Sequence, residues 1–341
     1  MSAALRRPDA HDVASALTNR ICELCATLLP AGRLRGGYWK AGSVANEPGG
    51  SLYVHLSGAR AGRWQDAATG EFGDALDLVA ACVCRGDKRT AYAWACAWLG
   101  HDAVPQTQRA PTRANAATVD LGDAHRRRAA LQLYLEAQAS LAGTPAWDYL
   151  AHRGIELAGL GQQPRALRFH PMLPHRPSGR AFPALIAAIC NADGALIAIH
   201  RTWLEQDERA AWIKARVVDS KMSLGNFSSG SIRLWRGTTS KPLRDADPDE
   251  TVVIGEGIET CLSIALACPE LRVLAAVSLG NMGAIALPSQ LRSVILAADN
   301  DTSAHAQLAF RRVVERHLDA GRDVRIARAA WGKDFNDTYR A

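Results

Sequence analysis

Apolar residues recur at helical spacing near the start of the chain. Val13, Leu17, Ile21, Leu24 and Leu28 predict one amphipathic helix over 10–29. From 34 to 71 the spacing shortens to alternation, as in SLYVHL, and the Gly-rich pieces GRWQD and TGEFGD predict a small antiparallel sheet with tight turns. GDALDLVAACVCRG and KRTAYAWACAWLG then read as two helices, the second stopping at Gly100. Residues 101–128 have few large apolar side chains and read as a linker, with helix resuming over 127–151.

From 165 the alternation becomes that of strands. FPALIAAI and ALIAIHRTWL flank CNADG, whose Asp-Gly pair predicts a hairpin, and WIKARVVDSKMSLGNFSSGSIRLW continues in strand-like pieces. Residues 251–341 alternate strand and helix. TVVIG, LRVLAAVS, SVILAA and DVRIARAA are the strands, and LGNMG is a turn. GIETCLSIALAC and Ser303 to Ala320 are helices, the latter with Thr302 or Ser303 as N-cap. That alternation predicts a parallel sheet with helices on its faces.

Composition adds that 48% of the 341 residues are hydrophobic, enough to build cores. No run approaches the roughly 20 apolar residues of a membrane span, and the first residues lack the apolar core of a secretory leader. A cytoplasmic protein with no membrane partner is expected. The net charge of +6 is uneven: residues 165–244 hold 13 Lys/Arg against five Asp/Glu, so a polyanion such as nucleic acid suits this segment. The eight cysteines lie mostly in apolar helical patterns and are expected as buried free thiols. Cys22 and Cys25 have CxxC spacing but no second pair, and no zinc site is expected.

Ligands of open parallel sheets sit beyond the carboxyl ends of the strands. Glu256 follows TVVIG, Asp299 and Asp301 follow SVILAA, and Asp334 and Asp337 follow DVRIARAA. Carboxylates gathered at one edge repel one another, and Mg²⁺ (or Mn²⁺) relieves that repulsion while leaving positions for phosphate oxygens. Gly255 and Gly257 flank Glu256 and would let backbone approach a phosphate.

GEGIET, AADND and GKDFND resemble, in order and spacing, the three acidic motifs of the Toprim fold, shared by DnaG-type primases, type IA and II topoisomerases and some nucleases. The resemblance covers 251–341 and implies Glu256, Asp299, Asp301 and Asp334 as catalytic residues. The same four with Asp337 are implied as metal ligands, and Glu259 as a helix-face residue near the site. The preceding strands, from RFHP to SIRLW, resemble the basic subdomain of phage and plasmid primases. Arg180, Arg201, Lys214, Lys221 and Lys333 are the candidate phosphate contacts. The N-terminal part resembles the primase zinc ribbon in framing, but residues 34–71 hold no cysteine and only His55. A metal-free ribbon stabilised by Trp39, Trp64 and Phe72 is expected, with Arg63 among the residues placed to contact a strand.

The fold class expected is α/β: a Toprim parallel-sheet domain (250–341) preceded by a helical connector and basic strand-rich primase-type subdomain (129–249). A linker (102–128) and an N-terminal ribbon-like α+β module (1–101) come before them. The resemblance implies a DNA primase, a nucleotidyltransferase making short RNA primers on single-stranded DNA from nucleoside triphosphates. It would act beside a separately encoded helicase, in a phage, plasmid or integrated element. A Toprim nuclease and a catalytically reduced single-strand-binding accessory protein are the alternatives.

Overall fold

A computed structural model describes residues 9–69, 71–100, 114–301 and 304–340. The predicted N-cap at Thr302 or Ser303 and the first part of the predicted linker lie outside them. The chain forms two compact units, Met1–Pro111 and Thr112–Ala341.

In the first unit the predicted single helix is two, α1 (Ala10–Asn19) and α2 (Ile21–Leu28), broken at Arg20, whose φ of −117° and ψ of 30° are not helical. Arg20 pairs with Glu23 and lies 4.4 Å over the Trp98 ring. The five strands β1 (Arg33–Arg35), β2 (Tyr38–Ala41), β3 (Leu52–His55), β4 (Trp64–Asp66) and β5 (Phe72–Gly73) pair antiparallel in chain order, as the alternation predicts. Helices α3 (Ala75–Val83) and α4 (Lys88–Leu99) complete a core of Leu17, Leu24, Leu52, Val54, Trp64 and Leu78.

Two expectations fail here. Phe72 is 76% exposed, on β5, a two-residue strand at the edge of the sheet. Cys22 is exposed, because the buried face of α2 is Ile21, Leu24, Cys25 and Leu28. Burial pushes the Cys25 thiol up to about 12, helped by Cys22 and Cys82.

α3 starts in a reciprocal capping box. The Asp74 carboxylate accepts from the Leu76 and Asp77 amides, and Asp77 accepts from the Asp74 amide. Asp74→Ala is expected to lower the stability of this unit by about 1 kcal/mol, read as faster amide exchange along α3.

The second unit begins with α5 (Ala114–Glu136), which occupies half of the predicted linker. The segment ANAATVDLGDA has few large apolar residues, but alanine is the strongest helix former and needs no apolar stripe. The predicted helix over 127–151 is likewise broken between α5 and α6 (Pro145–His152), where Thr144 caps the new start. The long antiparallel strands β6 (Leu167–His175), β7 (Arg180–Cys190) and β8 (Leu196–Gln206) are joined by β9 (Trp212–Lys214) and β10 (Lys221–Gly225), which both pair with β8. The predicted β7–β8 hairpin is present, and its turn uses Gly194 at φ +96°.

A second sheet follows. β12 (Thr251–Gly255), β13 (Arg272–Ala275), β14 (Ser293–Ala298) and β15 (Asp323–Arg328) are parallel, in the order β13-β12-β14-β15. β11 (Ile232–Arg236) adds to β13 antiparallel, although it precedes residue 250. The sheet carries helices α7 (Ile258–Ala267), α8 (Leu279–Met282), α9 (Ala304–Asp319) and α10 (Phe335–Arg340). LGNMG, predicted as a turn, is the short helix α8, capped by the Ser278 hydroxyl.

Strand alternation assigns the cores. Val252, Ile254, Val294 and Leu296 pack with Phe310 and Val313, whereas Val253 faces Cys261, Leu262 and the first sheet's Leu185 and Leu204. The two sheets of this unit therefore share one core. Among the described residues no helix is long and apolar enough to cross a membrane.

Candidate active site

β12 and β14 are neighbours, with Gly255 opposite Ala297, so their carboxyl ends place Glu256 and Asp299 side by side. β14 and β15 are neighbours too, and the loop after β15 returns to the same edge, where the Asn300 amide donates to the Lys333 carbonyl at 2.8 Å. Glu256, Asp299, Asp301, Arg328 and Lys333 line a pocket of about 190 Å³ beside Gln307 and Phe310.

The charges in this pocket are poorly compensated. One oxygen of Asp299, Oδ1, is buried and has no hydrogen-bond partner. Burial raises the Asp299 carboxyl above its ordinary value, with Asp334 and Asp301 adding to the rise and Lys333 and Lys221 opposing it. Glu256 is pushed up to about 7, first by burial and then by Asp299, against Lys221 and Lys333.

Asp334 and Asp337 also order the loop after β15. Asp334 Oδ1 accepts from the Asn336 and Asp337 amides and so caps α10, while Asp337 Oδ2 accepts from the Lys333 amide at 2.9 Å. Glu256, Asp299 and Asp301 line one pocket and the Asp334 charge acts on Asp299, whereas Asp337 holds the loop. Among the described residues no three His, Cys, Asp or Glu side chains already form a metal-binding group. Mg²⁺ in phosphoryl-transfer sites is held by only one or two carboxylates, with waters and substrate phosphates completing the shell. The unpartnered Asp299 oxygen beside Glu256 fits that requirement.

Glu259 is no loose neighbour of the site. It is buried, accepts from Tyr149 Oη at 2.5 Å and pairs with Lys214 Nζ at 2.7 Å. Burial raises its pKa, but Lys214, Lys221 and the two hydrogen bonds outweigh burial and bring it to about 2. Lys214 is therefore tied to Glu259 and is not a free phosphate contact. Arg201 is also engaged, donating to the Met222 and Ser223 carbonyls and lying 5.0 Å from the Trp203 ring centre. Arg180 is exposed over the Phe182 ring. Of the five basic candidates, Lys221 and Lys333 are those whose charge acts on Glu256 and Asp299.

Sequence reasoning missed three contributors. Arg328, the last residue of β15, lines the pocket and donates to the Asp299 carbonyl at 3.3 Å. Asn300 ties the loop down by donating to the Ala329 and Gly332 carbonyls; its place between two aspartates in AADND was the available signal. Val277 has φ +74°, a costly conformation for a β-branched residue, and its amide holds the Glu256 carbonyl at 2.9 Å. The expectation for Gly255 changes: a side chain there would meet Cys261 Sγ at 2.7 Å, so this glycine lets α7 close on β12.

Residues 251–341, the segment that carries this pocket, match the family model of the Toprim domain. The C-terminal segment is a Toprim domain. Ahead of the Toprim domain, residues 124–234 match a domain of unknown function, DUF7146.

Among solved structures, the chain is similar to the zinc-binding and RNA polymerase domains of the Aquifex aeolicus primase. Identity is 14% over 96% of this chain and 82% of that one, with a TM-score of 0.40. It is also similar to the E. coli primase catalytic core, at 17% identity over 65% and 75% of the two chains, TM-score 0.39. The primase fragment of the bacteriophage T7 primase-helicase shows 16% identity over 56% and 68%, TM-score 0.32. No curated protein sequence matches the chain.

Proposed function

We propose that this chain is a primase-type nucleotidyltransferase that makes short RNA primers on single-stranded DNA from nucleoside triphosphates. The observation that carries the reading is the Asp299 oxygen, buried without a partner and crowded by Glu256, Asp301 and Asp334 in a Toprim domain. Asp299 and Asp301 are the residues that would hold Mg²⁺ or Mn²⁺, with Glu256 and Asp334 adjacent. When bound, the ion supplies positive charge against the triphosphate and the leaving pyrophosphate.

Lys221, Arg328 and Lys333 bring the fixed positive charge of the protein to the same pocket and orient the phosphates. Glu256, lining the same pocket as Asp299 and Asp301, is the residue that would take the proton of the attacking 3′-hydroxyl. The template is single-stranded DNA, and a helicase is the partner that would expose it.

Purified full-length protein with Mg²⁺, single-stranded DNA and labelled nucleoside triphosphates is expected to yield short labelled RNA. DNA fragments without labelled RNA would replace this reading with the nuclease. Strand binding with neither product would leave an accessory protein.

A further inference from the structure

The second unit holds another, larger cavity, of about 590 Å³, bounded by α5, the end of β7 and β11. It shares no lining residue with the carboxylate pocket. Because β11 runs antiparallel to β13, Arg236 sits opposite Arg272, at the amino end of the parallel strands. The carboxylates lie at the opposite end.

The cavity wall is chemically one-sided. Arg165, Arg233 and Arg236 line it, and among the described residues no aspartate or glutamate does. Arg233 is anchored, donating from Nη2 to the Asn191 and Ala192 carbonyls, while its Nε is buried with no partner. An unpaired buried donor is costly unless something accepts from it. Burial lowers the Arg233 pKa; Cys190 raises it, while Arg272, Arg236 and Arg244 lower it further. Beside the arginines stands Trp235, its ring fixed by a 2.7 Å hydrogen bond from Nε1 to the Pro269 carbonyl.

Guanidinium groups suit planar, bidentate recognition of phosphate, and an indole wall suits a flat ring. The volume falls within the range of roughly 300–1,000 Å³ typical of small-molecule sites. We propose that this cavity is a second nucleotide site, separate from the reaction centre. It takes one nucleotide unit, free or part of a strand, with phosphate on Arg165 and Arg236 and the base against Trp235. The assignment stands whether or not the carboxylate pocket polymerises.

The test measures binding in EDTA, which removes metal-dependent binding at the carboxylates. ATP, 5′-phosphorylated octathymidylate and inorganic tripolyphosphate are titrated calorimetrically into the full chain and into R165E/R236E. ATP or the octamer is expected to bind the parent and to bind the charge-reversed variant at least tenfold more weakly. The probe that shows the loss identifies the source as free nucleotide or strand. That probe is expected to bind the parent more tightly than tripolyphosphate does. Should charge reversal unfold the protein, R165A/R236A carries the same expectation with a smaller factor. The proposal is overturned if neither nucleotide probe binds, if the variants bind as the parent does, or if tripolyphosphate binds as tightly as the nucleotides.

Discussion

Asp299→Asn is expected to abolish nucleotide addition and, at the same time, to leave the protein at least as thermally stable as the parent. The carboxylate of Asp299 is buried, has an oxygen with no partner, and is repelled by its neighbours. A neutral amide of the same shape removes a charge that Lys333 and Lys221 compensate only in part. Loss of the group proposed to hold the cation should cost on the order of a thousandfold in rate. The melting temperature should stay level or rise by a few degrees, since relieving functional strain commonly stabilises. Strand binding should persist, because Lys221, Arg328 and Lys333 remain. A variant that polymerises like the parent would remove Asp299 from the chemistry. One that melts well below it would show the carboxylate to be structural.

Glu259→Ala is expected to destabilise the second unit by about 3–5 kcal/mol, because it strands the Tyr149 hydroxyl and the Lys214 ammonium together. Glu259→Gln keeps an acceptor for Tyr149 and should lose less. The pH dependence has a definite sign. Glu259 titrates near 2 when folded against 4.5 ordinarily, so its charged form favours folding. That contribution, roughly 3 kcal/mol, is complete above pH 4.5 and disappears as pH falls from 4.5 through 2. Urea midpoints of parent and Glu259→Gln should therefore converge over that window. A gap unchanged between pH 7 and 2.5 would rule the charge out as its cause.

The strand–helix alternation after residue 250 was legible because short apolar runs such as TVVIG and SVILAA alternate with segments of helical spacing. The carboxylate edge followed from strand direction alone. The β7–β8 hairpin was announced by its Asp-Gly turn. What local pattern could not show were the long-range partners. Glu259 reads as one more helix acid until Tyr149, 110 residues earlier, and Lys214 are brought against it. Lys214 accordingly looked like a phosphate ligand. The early start of α5 was hidden by alanine, which forms helix without marking a face. The break at Arg20 was hidden by apolar spacing that runs through it unchanged.

β11 has an implication for where this chain can be cut. The strand belongs to the stretch before the Toprim domain, yet its hydrogen bonds complete the Toprim sheet, and Ile232 and Leu234 join Val253 and Val273 in one core. A fragment of residues 251–341 alone would leave the β13 edge unpaired and its apolar neighbours uncovered, so a self-sufficient fragment has to reach back past Ile232.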